Sequence, residues 1–261
     1  SSRRLPLHLP TTKPHMTTPD THTATSALKA KPPQPGTSVV TRTLCRATPV
    51  AAACALASTL AVAQPASPPV NLVTAPTPEF KEALATPALL KALRKGGYVL
   101  YMRHGNTNND HPDQPNLKLD DCATQRPLND EGRAVVTQVG KAIAQAHIPV
   151  GDVWVSPMCR AKESAQLAFG NKAQVDINLM YTAHMTTEQK KPVLANTRRL
   201  LSEPVTPGTN RVVVAHAPNL ADVMGFFVKP EGNVVVFTPL GNQQFRYEAS
   251  IHPQHWAKLL K

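Results

Sequence analysis

The sequence is short of acidic residues, with 17 Asp and Glu against 28 Lys and Arg. The excess positive charge is unevenly distributed, because seven of the basic residues and one acidic residue, Asp20, precede Gln64. Residues 1–63 also lack aromatic side chains and are rich in Thr, Pro, Ala and Ser, so this segment cannot build a hydrophobic core. Much of the basicity therefore belongs to a tail, and we expect no nucleic-acid partner.

Cysteines are few, and the common metal-binding patterns are missing. Of the four cysteines, only Cys122 and Cys159 follow Gln64. Such a pair does not make a disulfide scaffold, and both a disulfide and two free thiols stay open. The sequence contains no HExxH, no CxxC and no tight His/Asp cluster, so we expect neither a metal nor another cofactor.

The segment TRTLCRATPVAAACALASTLAVA, residues 41–63, has the features of an export signal. Arg42 and Arg46 precede a short apolar run that ends on the small residues AVA. The run is shorter than the roughly 20 apolar residues that a membrane span needs. A lipoprotein signal ending at Cys54 is an alternative, although the apolar run continues past that residue.

These features divide the chain into three parts. We predict a disordered tail with the export signal at 1–63 (signal at about 39–63), a Pro-rich linker at 64–78 and one folded domain at 79–261. Since residues 1–38 have no foldable pattern, we expect translation to start near Val39 or Val40. The exported protein, periplasmic or secreted, should begin near Gln64 and have no stable association with the membrane.

Strand-like and helix-like segments alternate through the predicted domain. We predict strands at 98–102, 152–156, 173–177 and 211–215, and helices at 81–97, 130–146, 158–169, 187–202, 218–227 and 253–260. This alternation predicts an α/β fold with a mainly parallel sheet that helices cover on both faces. Two antiparallel strands, 233–238 and 243–249, should extend one edge around a turn at 239–242.

Basic side chains follow three of these strands. Arg103 and His104 come directly after YVLYM, Arg160 follows DVWVS by four residues, and His216 follows RVVVA. The carboxyl ends of parallel strands share one edge, so these side chains should meet, and they would repel one another unless they bind an anion. Arginines approaching from two directions suit a tetrahedral phosphoryl group, and the helix that begins near Pro157 would add its amides. Nearby arginines keep a histidine neutral, so His104 has the properties of a nucleophile.

Three segments carry a family resemblance. RHGNT at 103–107, SPMCRAKESA at 156–165 and VVVAHAPN at 212–219 resemble the signature segments of the histidine phosphatase superfamily. The resemblance covers about residues 97–247 and implies a phosphoglycerate-mutase-like, three-layer α/β/α sandwich. It also implies hydrolysis of small phosphomonoesters through a phosphohistidine. The site residues that it implies are the nucleophile His104 and the phosphate-binding Arg103, Arg160 and His216, assisted by Asn106 and Thr107.

The proton donor is where this sequence departs from the family. Many members carry a Glu some tens of residues after the second arginine, whereas INLMYTAHMTTEQ has no carboxylate before Glu188. Others place an Asp directly after the second histidine, where this chain has Ala217. We predict Glu231 as the proton donor and Glu188 as the alternative. The loop carboxylates are further options: Asp113, Asp120 and Asp121.

Two other functions stay open from the sequence. A chain of this fold without its proton donor would be a catalytically impaired phosphate-binding or interaction module. The presence of His104 favours an enzyme, because binding alone needs no nucleophile. A phosphohistidine protein phosphatase is the second alternative, and sugar phosphates and envelope-polysaccharide phosphates also remain open as substrates.

Overall fold

A six-stranded mixed sheet is the centre of the computed structural model, which describes residues 80–261. The strands are β1 Val99–Arg103, β2 Val150–Val155, β3 Ala173–Val175, β4 Asn210–Ala215, β5 Val234–Gly241 and β6 Gln244–Ile251. They lie in the order β3-β2-β4-β1-β5-β6. The first four are mutually parallel, and β5 is antiparallel to both β1 and β6. The predicted, mainly parallel α/β sheet is confirmed. The predicted tail, export signal and linker (1–63 and 64–78) lie outside the described residues.

Helices cover both faces of the sheet. They are α1 Pro87–Leu93, α2 Asp130–Gln145, α3 Cys159–Phe169, α4 Thr187–Ser202, α5 Ala217–Met224 and α6 Trp256–Leu259. Side chains alternate along each strand, so Leu100 and Met102 pack into one core with α1, α2, α3 and α6. Val99 and Tyr101 face the other core, with α4 and α5. The result is the three-layer sandwich that was predicted. No helix among residues 80–261 is long and apolar enough to cross a membrane.

Several element boundaries differ from the sequence-based prediction. Helix α1 begins at Pro87 instead of residue 81, because Thr86 caps it and Leu84 forms a bridge with Ser250. Helix α5 ends at Met224 because Gly225 takes the left-handed conformation there. Residues 253–255 form a 3₁₀ turn before the short helix α6.

The hairpin between β5 and β6 turns later than predicted. Asn242 and Gln243 form the turn, with φ values of 49° and 59°, which is the left-handed backbone that two-residue hairpins require. Strand β5 therefore continues through Pro239, which sequence reasoning had placed in the turn. Proline is tolerated because β1 pairs only with residues 234–237 of β5, so the missing amide of Pro239 removes no hydrogen bond to β1.

Candidate active site

The structure brings Arg103, His104, Arg160 and His216 together at the carboxyl edge of the parallel strands. The ring centroids of His104 and His216 lie 5.2 Å apart. The ring of Tyr181 lies 5.3 Å from that of His216 and 5.1 Å from the guanidinium carbon of Arg160. His104 is 4% exposed, and both Arg160 and His216 are 0% exposed. The strand ends therefore form one buried cationic cluster.

His104 has the form of a neutral nucleophile. Its Nδ1 lies 2.8 Å from the carbonyl oxygen of Gly105, which can only accept a hydrogen bond, so Nδ1 carries the proton and Nε2 keeps its lone pair. Burial, followed by the charge of Arg160, lowers the pKa of His104 to about 3. The imidazole is thus neutral at neutral pH, and its unprotonated nitrogen is Nε2.

A glycine must follow His104 because the chain passes close to α2 at this point. A Cβ atom on Gly105 would lie 2.5 Å from the carbonyl oxygen of Gly132, in the first turn of α2. The amide of Gly105 donates to Ser164 Oγ at 3.1 Å, and Ser164 Oγ donates to the carbonyl oxygen of Arg160 at 2.7 Å. The loop after β1 is thereby fixed against both α2 and α3.

His216 is oriented by two hydroxyl groups. The hydroxyl of Tyr101 donates to the carbonyl oxygen of His216 at 2.8 Å. Ser156 Oγ accepts the amide of Met158 at 3.3 Å and lies 2.7 Å from His216 Nε2. When Ser156 donates its proton to Nε2, His216 carries its own proton on Nδ1. Burial, then the neighbouring His104 and Arg160, lower the pKa of His216 well below its ordinary value.

Several buried nitrogen donors in this cluster have no hydrogen-bond partner within residues 80–261: Arg103 Nε, Arg126 Nε, Arg160 Nε and Nη2, and His216 Nδ1. An unsatisfied buried donor costs about 1–3 kcal/mol. The arginine nitrogens among these are cationic donors, and one oxyanion can accept hydrogen bonds from several of them at once. The geometry therefore suits a phosphoryl group.

Arg126 is a site residue that sequence reasoning missed. Burial is the largest cause of the lowered pKa of Arg103, His104, Arg160 and His216, and the charge of Arg126 acts in the same direction. The backbone amide of Arg126 donates to Asp113 Oδ1 at 2.8 Å, and Asp113 in turn binds Arg160. Arg126 lies in the long loop between β1 and α2, where no strand end or periodic pattern reveals its position. The sequence offers no signal for it beyond its being a basic residue in that loop.

Two carboxylates contact the arginines of the cluster. Glu231 forms an ion pair with Arg103, whose other terminal nitrogen donates to the carbonyl oxygen of Val228 at 2.7 Å. The amide of Gly232 donates to the carbonyl oxygens of Arg103 and His104, at 3.2 and 3.1 Å. These bonds fix the backbone next to Glu231 against the end of β1. Asp113, from the loop between β1 and α2, binds Arg160 Nη1 through both oxygens, at 3.0 and 3.2 Å.

The other predicted carboxylates lie elsewhere. Glu188 pairs with Lys191 on the exposed first turn of α4. Asp121 caps the 3₁₀ turn 122–124, and Asp120 is exposed.

Asn106 and Thr107, predicted to assist in phosphate binding, contact the start of α2 through their backbones. Within residues 80–261 neither side chain hydrogen-bonds to the cationic cluster. At the start of α3, two backbone amides that were predicted to bind an anion already donate hydrogen bonds to side chains of the protein. Gln125 Oε1 accepts the amide of Cys159 at 2.8 Å, and Ser156 Oγ accepts that of Met158.

A disulfide joins Cys122 to Cys159, a pairing that the sequence left open. It ties the long loop to the residue that precedes Arg160. The same loop carries Asp113, whose Oδ1 also accepts the backbone amide of Arg126 at 2.8 Å. The disulfide therefore anchors the part of the loop that supplies side chains to the site. Within residues 80–261 there is no group of three or more His, Cys, Asp or Glu side chains that could hold a metal ion.

One protein-family model matches part of the chain. Residues 99–185 match the model of the histidine phosphatase superfamily (branch 1). The matched segment contains RHGNT and SPMCRAKESA, two of the three segments that resemble this superfamily. No curated protein matches the sequence.

Solved structures with a similar fold include three phosphatases. The protein histidine phosphatase SixA, complexed with tungstate, is 15% identical, with 60% of this chain and 97% of that chain covered and a TM-score of 0.44. The alpha-ribazole phosphatase from Shigella flexneri is 13% identical, with 60% and 96% covered and a TM-score of 0.43. The phosphoserine phosphatase from Entamoeba histolytica, in complex with phosphoserine, is 14% identical, with 60% and 98% covered and a TM-score of 0.42.

Proposed function

We propose that the protein is a phosphatase that hydrolyses phosphomonoesters through a phosphohistidine on His104. The observation that carries the proposal is the state of His104: neutral, with Nδ1 bonded to the Gly105 carbonyl and Nε2 unprotonated. It lies among buried cationic donors that a phosphoryl group would satisfy. A site that only bound phosphate would have no need of such a nucleophile.

In the first step, the phosphoryl oxygens accept hydrogen bonds from Arg103, Arg126 and Arg160. His104 Nε2 attacks phosphorus, an N–P bond forms, and the bond from phosphorus to the ester oxygen breaks. An acid gives its proton to that oxygen, which leaves as an alcohol. The fixed cations, with the Nδ1 proton of His216, stabilise the negative charge on the equatorial oxygens in the transition state.

In the second step, water attacks the phosphohistidine. The carboxylate left by the acid takes a proton from the water, the N–P bond breaks, and its electron pair returns to Nε2 of His104. Phosphate then leaves, and both His104 and the acid are in their starting forms. The burial of His104 supports the cycle, because a histidine that is not protonated at neutral pH is again nucleophilic as soon as phosphate leaves.

For the acid we propose Glu231, with Asp113 as the alternative that the loop supplies. The amide of Gly232, which follows Glu231 in the chain, donates to the carbonyl oxygen of His104. The Glu231 side chain is 31% exposed, so it is accessible to a leaving group. Asp113 is 11% exposed and bonded through both oxygens to Arg160, which gives it a structural role as well.

Substitution of His104 tests the chemical step. His104→Ala should abolish turnover of a generic phosphomonoester, while circular dichroism shows an unchanged fold. Brief reaction of the unsubstituted protein with ³²P-labelled substrate, followed by mapping of the label, should place phosphate on His104. Label on a serine, cysteine or aspartate would overturn the mechanism. Phosphate binding without any turnover would instead support the non-catalytic module.

A comparison of two substrate types tests the acid. An alkyl phosphate has a poor leaving group, so loss of the acid should lower its turnover about 10²–10⁴-fold, whereas an activated aryl phosphate needs no protonation. Glu231→Gln should therefore cut alkyl-phosphate turnover steeply and aryl-phosphate turnover little. Glu188→Gln, on the exposed turn of α4, serves as the matched control. If Asp113→Asn gives the selective loss and Glu231→Gln does not, the acid is Asp113.

We also propose that the protein is exported to the periplasm or secreted. The proposal is supported by the signal-like segment at 41–63 and by the Cys122–Cys159 disulfide, which is the kind of bond that persists in oxidising compartments. N-terminal sequencing of the protein from the cell envelope or medium should begin near Gln64. An intact N-terminal segment would contradict the proposal.

A further inference from the structure

A large cavity adjoins the cationic cluster. Its volume is about 810 Å³, which is within the range of about 300–1,000 Å³ that is usual for small-molecule sites. Its lining includes Asp113, which binds Arg160, and Tyr181, whose ring lies against both Arg160 and His216. A phosphomonoester whose phosphoryl group is bound by the arginines would therefore extend its alcohol portion into this cavity.

The lining of the cavity is mostly apolar. Nine of its fourteen residues are aliphatic, aromatic, methionine or proline, and three are methionines: Met158, Met180 and Met185. Methionine side chains are flexible and adapt to apolar ligands of different shape. Ile177, also in the lining, is 57% exposed, so its burial against an apolar ligand would strengthen binding.

The charges of the lining also favour an apolar ligand. No lysine or arginine belongs to it, and its titratable side chains are Asp113, Tyr181 and His184. Asp113 is already bonded to Arg160, and the ring of His184 packs edge-on against that of Tyr181. A leaving group with a second phosphate or a carboxylate would find no cation here. The side-chain amides of Gln114, Asn178 and Gln189 are the remaining polar groups.

From this arrangement we infer that the substrates are phosphomonoesters of apolar alcohols, with the alkyl or aryl portion bound in the methionine-lined cavity. The inference rests on the proposed phosphatase function and adds the class of leaving group. It also predicts a limited role for the three amides, which would bind at most one or two polar atoms of the alcohol.

A chain-length series tests the inference. Ethyl, butyl, hexyl and octyl phosphate share one reacting group and similar leaving-group basicity, so differences in kcat/KM report binding of the alkyl portion. Each buried methylene should raise kcat/KM by a factor of about two to four, so octyl phosphate should exceed ethyl phosphate by at least about 50-fold. Concentrations are kept below micelle formation. A ratio under about 3, or faster turnover of glucose 6-phosphate than of octyl phosphate, would overturn the inference.

Variants of the lining connect the effect to this cavity. Met185→Gln keeps the shape of the side chain and adds an amide, and Ile177→Asn adds a polar group at an exposed position. Each should lower the octyl-to-ethyl ratio at least about fivefold. Val175→Asn is the matched control, since Val175 is 56% exposed on the same segment and is not part of the lining. A ratio that both lining variants leave unchanged would place the alkyl chain elsewhere and refute the inference.

Binding of non-hydrolysable phosphonates separates this inference from the proposed reaction. Octylphosphonate should raise the melting temperature of the protein at lower concentration than ethylphosphonate does, whether or not turnover occurs. If phosphate label forms on His104 and the chain-length series is flat, the phosphatase function stands and the substrate class is wrong. If octylphosphonate binds preferentially and no ester is hydrolysed, the cavity has the inferred preference and the proposed reaction fails.

Discussion

Removal of the Cys122–Cys159 disulfide is the sharpest test of how the long loop is held. The bridge closes a segment of 37 residues. In the chain-entropy model of the unfolded state, a loop of this length corresponds to about 4 kcal/mol of stability at 25 °C. For a domain of about 180 residues, each kcal/mol shifts the melting temperature by about 2–4 °C. We therefore expect the variant Cys122→Ala/Cys159→Ala to melt about 8–15 °C below the unsubstituted protein.

Thermal unfolding followed by circular dichroism is the assay, with and without a reducing agent. The reductant should lower the melting temperature of the unsubstituted protein toward that of the double variant and leave the double variant unchanged. KM for an alkyl phosphate should also rise, because the loop supplies Asp113 and Arg126 to the site and Cys159 precedes Arg160. If the double variant melted within about 2 °C of the unsubstituted protein, the loop would have to be held by its other contacts alone.

Three further predictions concern the cationic cluster. Arg126→Ala should weaken binding of inorganic phosphate about 10- to 100-fold, which is the range expected for loss of a charged hydrogen bond. Arg126→Lys should retain part of the affinity, and calorimetric titration measures the affinity of each variant. His104, whose folded-state pKa of about 3 lies below the unfolded value near 6.5, contributes stability that is complete above about pH 6.5 and lost toward pH 3. Denaturant titrations should therefore show the free energy of unfolding falling as the pH is lowered, with His104 contributing up to about 1.4 kcal/mol per pH unit. The variant His104→Gln should lack this contribution. Turnover should survive EDTA, because the side chains of the cluster supply the positive charge around the phosphoryl group; loss of activity that added metal restores would contradict this.

The residues at the strand ends could be placed from the sequence because their positions depend on local signals. YVLYM, DVWVS and RVVVA read as buried strands, and the direction of parallel strands brings their carboxyl ends to one edge. Arg103 is the last residue of β1, and His104 and His216 directly follow their strands, so little chain separates the signal from the side chain. The structure places them together, with Arg160 on the first turn of α3.

The loop residues could not be placed in this way. Nothing periodic marks the segment 105–127, and its path is determined by contacts distant in sequence, such as the disulfide and the bond from the Cys159 amide to Gln125. The sequence presents Asp113 only as one of several loop carboxylates and gives no specific signal for Arg126. The predicted hairpin turn is misplaced for a related reason. Only the structure shows that β1 pairs with β5 no further than Phe237, so that Pro239 can lie within β5 without removing a hydrogen bond to β1.

The pairing of each arginine with a carboxylate explains how the cluster can exist at all. Burial lowers the pKa of both Arg103 and Arg160, while Glu231 and Asp113 act in the opposite direction. Each carboxylate binds a terminal nitrogen of its arginine, so part of the cost of burying the charge is offset. The remaining nitrogens, Arg103 Nε and Arg160 Nε and Nη2, are left without partners within residues 80–261 and are fixed in direction. In the proposed reaction, arginines that are oriented before a phosphoryl group arrives would lose little side-chain entropy on binding. Their donors would be in place when charge develops in the transition state. The two carboxylates therefore stabilise the cationic cluster before any anion binds.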